Sequence, residues 1–132
     1  MSKVSVSQEY NASANAVWDV IGDPAGISSW HPAIASSPVE GAKNRVCTLT
    51  NGAKVIEEII EHDDAQRRYR YRIVKSPLPM TDYVASISVS EMDGGSKVTW
   101  DSEFNATGDA IELEEMIRGL YEAGLGALTE RL

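Results

Sequence analysis

From Val4 to Tyr10 apolar and polar residues alternate with a period of two, which predicts a half-buried first strand. Asn11, Ala12 and Ser13 then offer helix-capping side chains ahead of Val17, Trp18, Val20 and Ile21, whose spacing predicts a short amphipathic helix. Asp23-Pro24 repeats the start signal, because Asp caps and Pro is preorganised for the first helical position. A second short helix is predicted toward Trp30. Pro32 disfavours helical geometry at His31, so Trp30-His31-Pro32 is expected to form a fixed corner.

From that corner to Thr107 the pattern is one of strands separated by turn signals at Gly41, Asn51-Gly52, Asp63-Asp64, Pro77-Leu78-Pro79 and Asp93-Gly94-Gly95. Asn51-Gly52 is the strongest, since both residues tolerate the positive φ of a tight hairpin. The last segment opens on Asp109 and Glu112, a capping-box-like pair, and carries Leu113, Met116, Ile117, Leu120, Tyr121 and Leu128 at helical spacing. A helix reaching the C-terminus would be about 30 Å long, enough to cross a small domain. An antiparallel sheet must cover its apolar face, and this helix is the only element long enough to do so. The expected fold is α+β: a curved antiparallel sheet of about seven strands wrapped around a long C-terminal helix, with two short helices after the first strand. Residues 1–132 are expected to form one such helix-grip domain.

Composition narrows the function classes. At 132 residues, 42% hydrophobic and 24% charged, the chain has the make-up of one ordinary soluble globule. No run approaches the roughly 20 apolar residues of a membrane span. The stretch from Met1 to Val6 alternates where a leader would be continuously apolar, so the expected location is cytoplasmic. Cys47 is the single cysteine and His31 and His62 are the only histidines, so neither a disulfide nor a structural zinc site is expected, and no metal or cofactor is implied. A net charge of -8, from 20 acidic and 12 basic side chains, opposes nucleic-acid binding. Arg68, Arg70 and Arg72 share one strand face while Tyr69, Tyr71 and Ile73 share the other. That stripe reads as a solvated outer face, with an anionic partner as the alternative. Oligomeric state is not legible.

Among polar residues Glu57 is the most informative, because strand parity places it with Val55 and Ile59 on the inward face. It either orients a ligand or exchanges protons, or it is satisfied by a backbone donor, a tyrosine hydroxyl or water. Glu58 points outward and is expected to oppose Arg72. His31 either carries protons at a cavity entrance or stands exposed at its corner. Trp30 reads as a wall residue, and Tyr71 and Tyr83 suit packing or the direction of a ligand hydroxyl. Val98, Trp100 and Phe104 share one parity, which turns Asp101 outward unless a bulge intervenes. Gly124 falls on the apolar helix face, leaving either room for a ligand or close approach of a neighbouring strand.

Taken together, Trp30-His31-Pro32, Glu57 within Val55-Ile56-Glu57-Glu58-Ile59, Asp63-Asp64, Tyr69-Arg70-Tyr71, Pro77-Leu78-Pro79 with Tyr83, and Val98-Thr99-Trp100 carry a resemblance across nearly the whole chain. The sequence resembles the polyketide cyclase/dehydrase-like branch of the SRPBCC superfamily, which includes START lipid-transfer domains, the birch-pollen allergen class and the plant abscisic-acid receptors. Members bind hydrophobic ligands, transport lipids or catalyse cyclisations in a cavity between sheet and helix. The resemblance makes Glu57 a cavity carboxylate, Tyr71 and Ile73 wall positions, and Pro77 to Tyr83 a loop at the cavity mouth. It also turns Asp101 toward the cavity. His31 sits near where the receptors place a lysine that meets a ligand carboxylate, and the tight Asn51-Gly52 turn replaces a longer lid-bearing loop. The expected ligand-binding set is Trp30, His31, Glu57, Ile59, Tyr71, Ile73, Tyr83, Ala85, Asp101, Met116 and Leu120. The expected activity is binding or carriage of a small hydrophobic molecule. The alternative is a cyclase or dehydratase acting on a polyketide-like or aromatic substrate, with Glu57 as base and Tyr83 or His31 as proton donor.

Overall fold

The computed structural model describes residues Met1–Leu132. Strand β1 (Ser2–Tyr10) leads into helix α1 (Ala14–Ile21), whose first turn is capped by Ser13 Oγ accepting from the Ala16 amide. A 3-10 segment, Pro24–Ser29, follows and is capped by the Asp23 carboxylate through the Ala25 amide. Both short helices therefore begin where the sequence signals them. The remaining strands are β2 (Ile34–Ser36), β3 (Val39–Glu40), β4 (Asn44–Leu49), β5 (Lys54–Asp63), β6 (Arg68–Lys75), β7 (Met80–Met92) and β8 (Gly95–Ala106). Helix α2 (Ala110–Leu128) is capped by Asp109, which accepts from the Glu112 amide.

The strands form one 8-stranded antiparallel sheet in the order β1-β8-β7-β6-β5-β4-β2, with β3 also on β4. Closure of the chain's ends against each other, β1 on β8, follows from a meander whose last strand returns to the first. The β4–β5 turn is tight: Gly52 has φ +90°, its amide donates to the Leu49 carbonyl, and Asn51 Oδ1 accepts from the Ala53 amide. Counting back from this turn pairs Cys47 with Val55 and Arg45 with Glu57. On the outer face Glu58 opposes Arg72, and Arg72 Nε donates to it over 2.7 Å, while Arg68 pairs with Glu61. The arginine stripe is thus an exposed, partly neutralised surface.

Helix α2 packs on the inner face through Leu113, Ile117, Tyr121, Gly124, Leu125 and Leu128. Tyr10 on β1 fastens it by donating its hydroxyl to the Leu125 carbonyl at 2.6 Å. Met116, expected among the inward residues, is 45% exposed. Its position lies about 100° around the helix from Ile117, and the buried stripe follows the Leu113, Ile117, Tyr121 row.

The absent side chain at Gly124 serves close approach and leaves no vacancy. A Cβ there would stand 2.5 Å from His31 Cδ2 and 3.2 Å from Trp100 Cζ3, whereas at Gly119 and Gly126 nothing lies within 4 Å. Gly124→Ala is therefore expected to destabilise the fold by about 1–3 kcal/mol. Gly119→Ala and Gly126→Ala, which only remove backbone freedom, should each stabilise it by about 0.5–1 kcal/mol. Denaturant unfolding of the three variants checks the contrast, and equal effects at all three positions would disprove it.

Candidate functional site

Between the sheet and α2 lies a cavity of about 80 Å³, lined by 17 residues of which 14 are hydrophobic. Aromatic rings dominate the side formed by β6, β7, β8 and α2: Tyr71, Tyr83, Trp100 and Tyr121. The half-buried lining residues Ile34, Leu49, Ile73, Leu78, Met80 and Leu120 mark where it opens. The Pro77-Leu78-Pro79 segment thus stands at the mouth.

Glu57 projects into this space from β5 and is 7% exposed. Its partner is Arg45, on the facing position of β4: Nε donates to Glu57 Oε1 at 2.8 Å and Nη2 lies 2.7 Å from the same oxygen. Arg45 Nη1 donates to the Pro24 carbonyl and to the Tyr69 hydroxyl. Its guanidinium also sits 4.8 Å from the centre of the Tyr71 ring. Burial works against the arginine's charge, but Glu57, followed by Tyr69, outweighs it and holds the proton above the usual arginine range. Cys47 donates its thiol to Glu57 Oε1 at 3.3 Å. Burial, then the neighbouring Glu57, pushes that thiol up to about 12, so it stays protonated and is no nucleophile.

All the bonds to Glu57 fall on Oε1, while the side-chain polar atoms sealed without a partner are Trp30 Nε1 and Ser102 Oγ. Glu57 Oε2 is therefore an acceptor that takes no bond from the protein, on a side chain that lines the cavity. In the same lining the hydroxyls of Tyr71, Tyr83 and Tyr121 form a hydrogen-bonded chain, with Trp100 Nε1 donating to Tyr71 at 3.0 Å. Burial raises all three phenols above their ordinary value, so each retains its proton.

His31 is 3% exposed and lines the cavity, which excludes the solvent-facing corner. Nδ1 accepts from the Ala33 amide at 3.1 Å, so the proton is on Nε2, which donates to the Leu120 carbonyl at 2.8 Å. Burial lowers its affinity for a second proton, partly offset by the Leu120 carbonyl. Both ring nitrogens are occupied, Nδ1 within the corner and Nε2 in holding it to α2.

Of the remaining candidates, Tyr71, Ile73, Tyr83 and Leu120 line the cavity, and five residues do not. Trp30 is buried behind His31 and Trp100, with ring centres 5.9 and 5.8 Å away. Ile59 lies in a separate groove beside Pro24 and Ala25, where a bulge between Ile59 and Glu61 shifts the strand. Ala85 is on the inner face, but in register with Tyr71 its methyl group is too short to reach past the ring. Asp101 is exposed and accepts from Ser86 Oγ on the outer face, as the parity of Val98, Trp100 and Phe104 requires; β8 has no bulge there. Met116 faces outward as described. Arg45 is the polar residue that the sequence reading missed: a two-residue turn at Asn51-Gly52 would set it opposite Glu58, whereas the observed three-residue turn, Thr50-Asn51-Gly52, sets it opposite Glu57.

The family of polyketide cyclases/dehydrases and lipid transport matches this chain over residues 1–132, and the chain belongs to that family. No curated protein is similar enough in sequence to match. Among solved structures, the protein XoxI from Bacillus cereus is 31% identical with a TM-score of 0.95, the alignment covering 99% of this chain and 95% of that one. A START superfamily protein from Mycobacterium smegmatis, 16% identical with TM-score 0.78 over 98% of this chain and 95% of its own, shares the fold. So does norcoclaurine synthase from Thalictrum flavum, solved with dopamine and hydroxybenzaldehyde, at 18% identity and TM-score 0.76 over 98% of this chain and 84% of its own. These likenesses show the helix-grip fold, and no helix is long and apolar enough to cross a membrane.

A neutral buried His31 gives a signed pH dependence. Because its folded pKa is lowered from 6.5, its contribution to stability is complete above that value and is lost as pH falls below it. Thermal unfolding from pH 8 to pH 5 is expected to show a steeper acid-side decline for the wild type than for His31→Gln, which cannot titrate. Parallel curves would refute this.

Proposed function

We propose that the protein binds or carries a small, largely apolar molecule in the cavity between its sheet and α2. The observation that carries this reading is an apolar, aromatic-rich space whose lining holds one carboxylate oxygen free of protein bonds, Glu57 Oε2, and the linked phenols of Tyr71, Tyr83 and Tyr121. Such a pairing of apolar wall and few oriented polar groups is what a small-molecule site requires. The direct ligand contacts are assigned to His31, Glu57, Tyr71, Ile73, Tyr83 and Leu120, joined by Arg45, Trp100, Ile117 and Tyr121. Pockets for drug-sized ligands measure about 300–1,000 Å³, several times the roughly 80 Å³ between these walls, so a ligand of that size enters only if the mouth at Leu78 and Met80 yields.

The second reading is a cyclase or dehydratase, and the phenol chain is the feature that favours it, since Tyr83 could donate a proton to a substrate oxygen. Against it stands the lack of a ready base: Glu57 is neutralised by Arg45, His31 has both nitrogens engaged, and Cys47 keeps its proton. Binding without turnover fits those groups better.

Native mass spectrometry of the protein purified from its own source is expected to show a co-purifying small molecule. Ile73→Trp, which puts a larger side chain into the cavity wall, should reduce the bound fraction by about tenfold or more. A wild type that carries nothing and takes up nothing from its own extract overturns the binding reading. Conversion of the released molecule by fresh protein, abolished in Tyr83→Phe, would establish the enzymatic one.

A further inference from the structure

We infer that this cavity selects a neutral one-ring or similarly small molecule bearing a hydrogen-bond donor, and rejects carboxylates such as fatty or aromatic acids. The inference rests on the binding role proposed above and names its ligand class.

Two cationic side chains reach the cavity in principle, Arg45 and His31, and neither is available to an anion. Arg45 directs Nε and Nη2 at Glu57 Oε1 and Nη1 at the Pro24 carbonyl and Tyr69 hydroxyl, and is 1% exposed. Its charge is matched within 3 Å by a carboxylate, so the pair presents no net positive charge. His31 is neutral, with Nδ1 accepting from Ala33 and Nε2 donating to Leu120. A ligand carboxylate entering here would be desolvated beside Glu57 without a counter-charge, which is strongly unfavourable. A long acyl chain finds no room in about 80 Å³.

What the cavity does offer is an unused ionised acceptor. Oε2 of Glu57 takes no bond from the protein, while the same carboxylate is held in place through Oε1. A ligand O–H or N–H directed at Oε2 would make a charge-assisted hydrogen bond between largely apolar walls, the stronger kind. Tyr71, Tyr83, Trp100 and Tyr121 supply ring faces for stacking, with Trp100 and Tyr121 already stacked at 4.3 Å. A cationic amine gains less, because Arg45 stands behind the acceptor it would approach.

The probes are phenol, toluene and benzoate, which share a ring and differ in the group presented to Glu57. Binding to the wild type is read by ligand-observed NMR and calorimetric titration at neutral pH. Phenol is expected to bind about tenfold or more tightly than toluene, the usual advantage of a bond to a charged acceptor, and benzoate more weakly than either. Equal affinities for phenol and toluene would overturn the inference while leaving the cavity a binding site. Benzoate binding more tightly than phenol would overturn it too, by showing Arg45 open to anions. Failure of all three at millimolar concentration would instead sink the binding role itself. Glu57→Gln alone risks misfolding, because it strands Arg45, so the confirming variant is Arg45→Met with Glu57→Leu, which removes the pair as a unit. In that variant the ratio of phenol to toluene affinity should fall to about one, and an unchanged ratio would show that Oε2 is not the acceptor.

Discussion

The buried ion pair between Arg45 and Glu57 is the interaction on which the rest of the site depends. Removing two such charges from water costs several kcal/mol each, and their mutual attraction only about offsets that cost. The pair therefore adds little to net stability, yet loss of either member leaves an unpaired buried charge, which costs about 3–5 kcal/mol. Its value lies in what it holds. Through Nη1 the arginine binds the Pro24 carbonyl, drawing the 3-10 segment Pro24–Ser29 against the sheet, and through the Tyr69 hydroxyl it reaches β6. One side chain thus ties together β4, β5, β6 and the segment that leads to the His31 corner.

A second fastening closes the opposite side. His31 reaches α2 at Leu120 and fits against the bare backbone of Gly124, so the corner and the helix approach closely only because that position has no Cβ. Leu120 lends its carbonyl to His31 while its side chain faces the cavity. Movement of the helix would therefore change the cavity and the corner together. Any opening that admits a larger molecule is easiest through movement of the half-buried apolar side chains of Ile34, Leu49, Leu78 and Met80, which make no polar bonds of their own.

Local signals made most of this architecture legible in the sequence. Ser13, Asp23 and Asp109 cap the segments they were expected to cap, and strand parity put Glu57 inside and Glu58 outside against Arg72. Parity was also right about Asp101 where the family resemblance was not, because β8 runs without a bulge past Trp100. The losses came where local pattern underdetermines packing. Met116 fits a helical stripe broad enough to include it, yet only the Leu113, Ile117, Tyr121 row meets the sheet. Ile59 shares a face with Glu57, but a bulge and the adjacent Pro24 place it in another groove. Trp30 and Ala85 point inward and are still shielded by neighbouring rings, a matter of side-chain reach that periodicity does not encode.

The neutrality of the cavity follows from the length of one turn. A three-residue turn, Thr50-Asn51-Gly52, closed by the Leu49 amide donating to the Ala53 carbonyl, brings Thr48 opposite Lys54 and, counting outward, Arg45 opposite Glu57. Side chains alternate along a strand, so a register displaced by one residue would send Arg45 and Glu57 to opposite faces. Glu57 would then face the cavity as an uncompensated carboxylate, or Arg45 as an uncompensated cation able to meet an acidic ligand. The tight hairpin therefore does more than shorten a loop at the rim. It sets the register that consumes the arginine's charge, holds Oε1 of the glutamate, and leaves Oε2 as the one carboxylate oxygen free of protein bonds in a largely apolar lining.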